Sequence, residues 1–113
     1  MKLPKYIKIG GHKFKIVIFD RIASNNRGCI DYCSEEIRLS TAHGYEEDRM
    51  LTDGAIVCTL LHEIIHGIAV TWNVEDKTLK EDSTVDTVAE GIYQSMMDTP
   101  GLLELLLDHR KSI

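Results

Sequence analysis

The sequence has few cysteines and no long apolar run, and each scarcity excludes a class of protein. Its three cysteines cannot form an even disulfide framework, and none lies in a CxxC pair, which fits a reducing compartment. No stretch approaches the roughly 20 consecutive apolar residues of a membrane span. The first residues also lack the apolar segment of a secretory signal. We therefore expect a cytoplasmic protein that is not inserted in a membrane.

Length and composition are those of one ordinary globular domain. The 113 residues, 43% hydrophobic and 27% charged, suffice for one core, so we expect a single domain over residues 1–113. The net charge of −5 is unevenly spread, because residues 1–28 carry seven lysines and arginines against Asp20 alone. The lysines alternate with apolar residues, as in a strand with one solvated face. Nucleic-acid binding is therefore not expected.

Apolar periodicity divides the chain into a strand-rich front, residues 1–45, and a helical back, residues 46–113. Alternating patterns predict four strands, at 6–9, 13–19, 29–32 and 36–40. The first two are joined by the hairpin turn Gly10-Gly11-His12. The predicted fold class is α+β, a small twisted and mainly antiparallel sheet followed by three helices.

The helical back begins with acidic residues 46–48, which suit the first turn of a helix that ends near residue 70. A break near residues 52–54 is the alternative. A charged loop precedes a second helix near 82–97, in which Gly91 suggests close approach to a neighbouring backbone. The leucine-rich third helix begins at Thr99-Pro100, and we expect it to pack in the core.

Five residues of the first helix, His62-Glu63-Ile64-Ile65-His66, carry the strongest chemical signal. Two histidines four residues apart lie on one helix face, so both imidazoles can bind one zinc ion. Glu63 lies on the flank of that face, where it can act as general base towards a water. The other positions from Leu60 to Ile68 are apolar or glycine, which disfavours a merely solvated helix. We expect one Zn²⁺ per chain.

A catalytic zinc site needs a third protein ligand. A histidine six residues after His66 is excluded, because Trp72 occupies that position. The second helix offers four carboxylates, Glu81, Asp82, Asp86 and Glu90. We favour Asp86, which follows His66 by 20 residues, and keep Glu90 as the alternative third ligand. The competing explanation for Asp86 is a capping box with Ser83.

Other polar residues near the motif have weaker claims. Cys58 stands one turn before His62, but a small apolar filler is a better explanation than a thiolate ligand. Tyr93 is a candidate oxyanion stabiliser, although a packing role is favoured. His43 is noted only because it shortly precedes the motif helix.

The run Thr59–Ile68 resembles the extended signature of zincin metallopeptidases. With the segment 86–92, it resembles the small ImmA/IrrE-like metallo-endopeptidases, often encoded by phages and mobile elements. The resemblance covers about residues 36–98 and implies a small zincin fold in which a second helix closes the metal site. In that family a glutamate followed three residues later by Ala-Asn supplies the third ligand. Asp86 and Ala89-Glu90 stand at those positions here.

The resemblance also implies a polypeptide substrate, such as a regulatory protein, held along the strand Glu36–Ser40 by strand addition. The expected function is a zinc-dependent endopeptidase in which Glu63 takes a proton from an activated water and returns it to the leaving amine. The alternative is a zinc-stabilised interaction module without catalysis, which would have no use for Glu63. Hydrolysis of a non-peptide amide would use the same residues.

Overall fold

The computed structural model describes residues 1–19, 27–41 and 50–113. Four strands precede three α-helices, which confirms the predicted α+β class. The strands are β1 (Tyr6–Ile9), β2 (His12–Phe19), β3 (Gly28–Asp31) and β4 (Glu36–Ser40). The helices are α1 (Asp53–Thr71), α2 (Asp82–Asp98) and α3 (Pro100–Ser112). A short 3₁₀ helix, Lys77–Lys80, lies in the charged connection between α1 and α2.

The helix that carries the histidine motif begins at Asp53, where the sequence allowed a break. Thr52 caps it by accepting a hydrogen bond from the Ala55 amide at 3.1 Å. The start predicted from residues 46–48 lies outside the described residues. α1 ends at Thr71 with Trp72 as its C-cap, and Asn73 follows with a φ of 51°, the left-handed conformation that often terminates a helix.

The sheet has the strand order β1-β2-β4-β3, so β4 is an interior strand. It pairs in parallel with β2 and antiparallel with β3. The expectation that Glu36–Ser40 offers a free edge to a substrate is therefore wrong, because both of its edges are already hydrogen-bonded. Among the described strands, the edges belong to β1 and β3.

Helix α1 covers one face of the sheet and closes the core. The buried core residues are Ile9, Phe14, Ile37, Leu39, Ile56 and Leu60. Close seating depends on Gly67, because a Cβ there would lie 2.7 Å from the Ile9 side chain and 3.1 Å from that of Ile30. The expectation that Gly91 allows close approach to a neighbouring backbone is wrong, since an added Cβ at that residue would meet nothing within 4 Å.

Helix α3 does not pack in the core, contrary to expectation. None of its 13 residues is buried, and among the described elements it touches only α2. The prediction failed because a run of leucines shows that a helix must be covered, but not by which element.

By length and composition alone, helix α1 is long and apolar enough to cross a membrane. This is weak evidence, since the core helix of a soluble protein meets the same test. Here α1 lies against β1, β3, β4 and α2, within a compact structure.

Candidate metal centre

Helices α1 and α2 pack side by side and run in opposite directions. His66 of α1 contacts Asp82 of α2. His62, one turn earlier in α1, contacts Asp86, one turn later in α2. One turn further along, burial raises the pKa of the Cys58 thiol, and the negative charge of the Glu90 carboxylate adds to that shift. Polar residues at four-residue spacing therefore face each other along a groove of about 780 Å³, which β3 closes on the opposite side.

Three potential metal ligands converge at one end of this groove. The Nε2 atoms of His62 and His66 are 2.9 Å apart. Asp82 Oδ1 lies 3.2 Å from the first nitrogen and 3.0 Å from the second. Among the described residues, His62, His66 and Asp82 form the one group of three or more ligand atoms that converge closely enough to hold a metal ion.

The donor set fits zinc. Zinc takes imidazole nitrogen and carboxylate oxygen at about 2.0–2.2 Å, and tetrahedral bonds of that length separate neighbouring ligand atoms by roughly 3.3–3.6 Å. The three separations, from 2.9 to 3.2 Å, lie a few tenths of an ångström below the short end of that range. The site offers three protein ligands, the number that catalytic zinc sites use. Hydrogen bonds from His66 and His62 lower the pKa of Asp82, which favours the carboxylate form that a ligand must have.

Asp86, which the sequence favours as the third ligand, contacts the other ring nitrogen of His62 and not the one in the converging group. Its Oδ1 is 2.6 Å from Nδ1 of His62, whereas the converging group uses Nε2 of the same ring. The capping-box explanation is wrong for this residue, because α2 begins at Asp82 after an N-cap without a side-chain hydrogen bond. A carboxylate on the second nitrogen of a ligating histidine fixes the orientation of the ring and its tautomer.

Glu63 stands beside the ligands and not among them. Its side chain is only 8% exposed, and Oε1 lies 3.9 Å from His62 Nε2. Burial raises the pKa of the Glu63 carboxyl, and His62 and His66 oppose that shift. A buried carboxylate near the ligand atoms, but outside hydrogen-bond distance of them, is placed to contact a water between them.

The opposite wall of the groove is the edge strand β3. Ser40 N donates to Arg27 O at 2.7 Å, so residues 27, 29 and 31 direct their backbone groups towards β4. The backbone N–H and C=O groups of Gly28 and Ile30 therefore point to the edge with which no described strand pairs. A Cβ on Gly28 would lie 2.6 Å from Thr59 Cγ2, so glycine lets this strand approach α1 one turn before the motif.

Three further sequence candidates line the groove but stay away from the converging atoms. Cys58 is not in the ligand group, and burial raises its pKa, so the neutral thiol is favoured. Glu90 is exposed on the α2 wall. The Tyr93 hydroxyl lies 2.9 Å from the position that a Cβ on Gly54 would take. Gly54 precedes His62 by eight residues, roughly 12 Å along the helix. Tyr93 is thus not placed to stabilise an oxyanion, and His43 lies outside the described residues.

Asp82 is the site residue that the sequence did not select. It was among the four carboxylates considered, and it lies on the same face of α2 as Asp86 and Glu90. The choice among them depends on how far α2 is displaced along α1. A shift of one helical turn changes the residue that meets His66, and the course of residues 72–81 sets that displacement. The periodicity of the sequence carries no signal for it.

No protein-family model, curated protein or solved structure matches the chain significantly. The resemblance to ImmA/IrrE-like metallo-endopeptidases stays a prediction that rests on the motif residues.

Proposed function

We propose that this protein is a zinc-dependent endopeptidase. The observation that carries the proposal is the convergence of the His62 and His66 nitrogens with an Asp82 oxygen, next to the buried carboxylate of Glu63. A bound zinc ion would supply Lewis acidity, which lowers the pKa of a water to about 7 and polarises a carbonyl group.

His62, His66 and Asp82 would hold the ion, one Zn²⁺ per chain. Asp86 would accept a hydrogen bond from Nδ1 of His62 and keep Nε2 directed towards the ion. Glu63 would take a proton from the attacking water and deliver it to the departing amine. Because Glu63 is nearly enclosed, few waters compete for this carboxylate.

The substrate would be a polypeptide bound in extended form along β3. The outward amide and carbonyl groups of Gly28 and Ile30 give such a chain two residues with which to pair. The strand lines the same groove as the three ligands, so pairing there brings a peptide bond towards the metal site. Backbone pairing gives little sequence preference, so selectivity would come from docking of a particular target, for example a regulatory protein.

The cellular location that suits this proposal is the cytoplasm. Cys29, Cys33 and Cys58 are all free, as expected in a reducing compartment. A cytoplasmic protease must spare most of its neighbours, and dependence on a docked target would provide that restraint.

The first test of the site is its metal content. Zinc-loaded wild-type protein should contain about one zinc per chain by plasma mass spectrometry, and His62→Ala and His66→Ala should contain almost none. Thermal stability should fall with the metal, because zinc binding contributes to the stability of the folded state. Metal content unchanged in both variants would contradict the site.

The test of activity uses Glu63→Gln, which keeps the size of the side chain but cannot take a proton. Both proteins are incubated with a native cell extract, whose folded proteins retain their docking surfaces, and new N-termini are identified by mass spectrometry. Glu63→Gln should keep its zinc and lose about 10²–10⁴ in cleavage rate. Loss of zinc from this variant would make Glu63 a ligand. Absence of cleavage by the zinc-loaded wild type would favour the non-catalytic module.

A further inference from the structure

Helix α3 has the composition of a buried helix but the exposure of a surface one. The large apolar residues exposed on it are Leu103, Leu105, Leu106 and Leu107, and Ile113, which directly follows it, is exposed as well. At 100° per residue they extend over more than half of the helix circumference. An isolated helix of 13 residues is marginally stable in water, so its order depends on packing. Contact with α2 alone buries none of its residues.

The exposed area is large enough for a stable protein interface. The second half of α2 adds Ile92 and Met97, which are also exposed. With about 180 Å² for each fully exposed residue, backbone included, these residues and those of α3 present on the order of 700 Å², close to the ~800 Å² that each partner contributes to a standard interface. Exposed patches on monomeric proteins seldom exceed about 300–600 Å².

The charges of α3 favour a second copy of the chain over a membrane. Its polar side carries Glu104, Asp108 and Lys111, whereas helices that lie on anionic membranes carry mainly lysine and arginine there. With Arg110, the helix has two acidic and two basic residues besides His109. Two copies can therefore approach without the repulsion expected between chains of net charge −5.

We propose that the protein forms a two-fold symmetric dimer in which α3 packs antiparallel against α3 of a second copy. A two-fold axis places the same apolar surface on both sides of the contact, so one helix face supplies both partners. Antiparallel packing also brings the opposite ends of the two helix dipoles together. No residue of α3 lines the groove that holds His62 and Asp82, so dimerisation leaves the metal centre open.

The test measures molecular mass by sedimentation equilibrium between about 1 and 100 μM protein. Wild type should approach twice 12.8 kDa. Leu106→Lys should dimerise at least about 100-fold more weakly, because the symmetry removes the leucine from both sides of the contact. Val70→Lys is the matched control, since Val70 is 55% exposed and Leu106 is 50% exposed. This control should remain dimeric.

Circular dichroism verifies that the variants fold, and Leu106→Ala provides a milder test if Leu106→Lys does not fold. Monomeric wild type at 100 μM (about the highest concentration tested) would overturn the proposal. So would equal dimerisation of wild type and Leu106→Lys, or loss of the dimer in Val70→Lys. Binding of wild type to phosphatidylglycerol vesicles with no dimer in solution would assign the surface to a membrane instead.

Discussion

The two walls of the groove are built from opposite kinds of chemical group. The α2 wall presents charged side chains at four-residue intervals, Asp82, Asp86 and Glu90. The β3 wall presents mainly backbone, at Gly28 and Ile30. A helix satisfies its own backbone and has only side chains to offer, whereas an edge strand has unpaired backbone groups. We infer a division of labour, in which α2 adds the Asp82 carboxylate to the two histidines of α1 at the metal site and the β3 wall aligns the substrate.

The largest effect is expected from Asp82 on the α2 wall. Asp82→Ala should remove most of the zinc, because it deletes one of three converging ligand atoms. Glu90→Ala is the matched control, since it removes a carboxylate from the same face two turns later. It should leave the metal affinity unchanged in competition with a chromogenic chelator. Equal zinc binding by Asp82→Ala and wild type would refute the assignment.

Asp86 should have an intermediate effect, which separates a ligand from a residue that orients a ligand. Asp86→Asn keeps an oxygen that can accept the hydrogen bond from His62 but loses the negative charge. Changes to such partners typically weaken metal binding about 10–100-fold. If Asp86→Asn lost as much zinc as Asp82→Ala, Asp86 would itself be the third ligand, as the sequence suggested.

The sequence predicted the parts of this structure that depend on local pattern. Alternating apolar residues gave the four strands, and the fixed geometry of a helix gave His62, Glu63 and His66, because an i, i+4 pair has one spatial arrangement. Strand order was not accessible in this way. The composition of Glu36–Ser40 does not indicate that β3 pairs with the edge of this strand that faces away from β2. The third ligand likewise depends on displacement between two helices, and tertiary packing sets that displacement.

The β3 wall can be altered without changing His62, His66 or Asp82. Ile30→Pro removes an N–H that faces the open edge, so a paired substrate would lose one backbone hydrogen bond. Such a bond is worth roughly 0.5–1.5 kcal/mol, or about 2- to 10-fold in KM. Ile30→Ala is the control, because it also loses the side chain packed on Gly67 but keeps the N–H. Equal KM values in the two variants would argue against strand pairing, and zinc content should be unchanged in both.

The last effect is on the stability of the fold and not on activity, and it concerns how β3 is seated on α1. Gly28→Ala places a methyl group 2.6 Å from Thr59 Cγ2 and 3.1 Å from Arg38 O, and such overpacking costs about 1–3 kcal/mol. Thr59→Ser removes the methyl group that obstructs, while its hydroxyl can still donate to Ala55 O, at 2.9 Å in the wild type. The double variant should therefore recover roughly half of the lost unfolding free energy, measured by urea denaturation with the zinc content held constant. If the losses of unfolding free energy in Gly28→Ala and Thr59→Ser simply added in the double variant, β3 would not be packed against the Thr59 methyl group. The remaining loss should come from the Arg38 carbonyl, since the backbone of the interior strand β4 cannot move away as easily as a side chain.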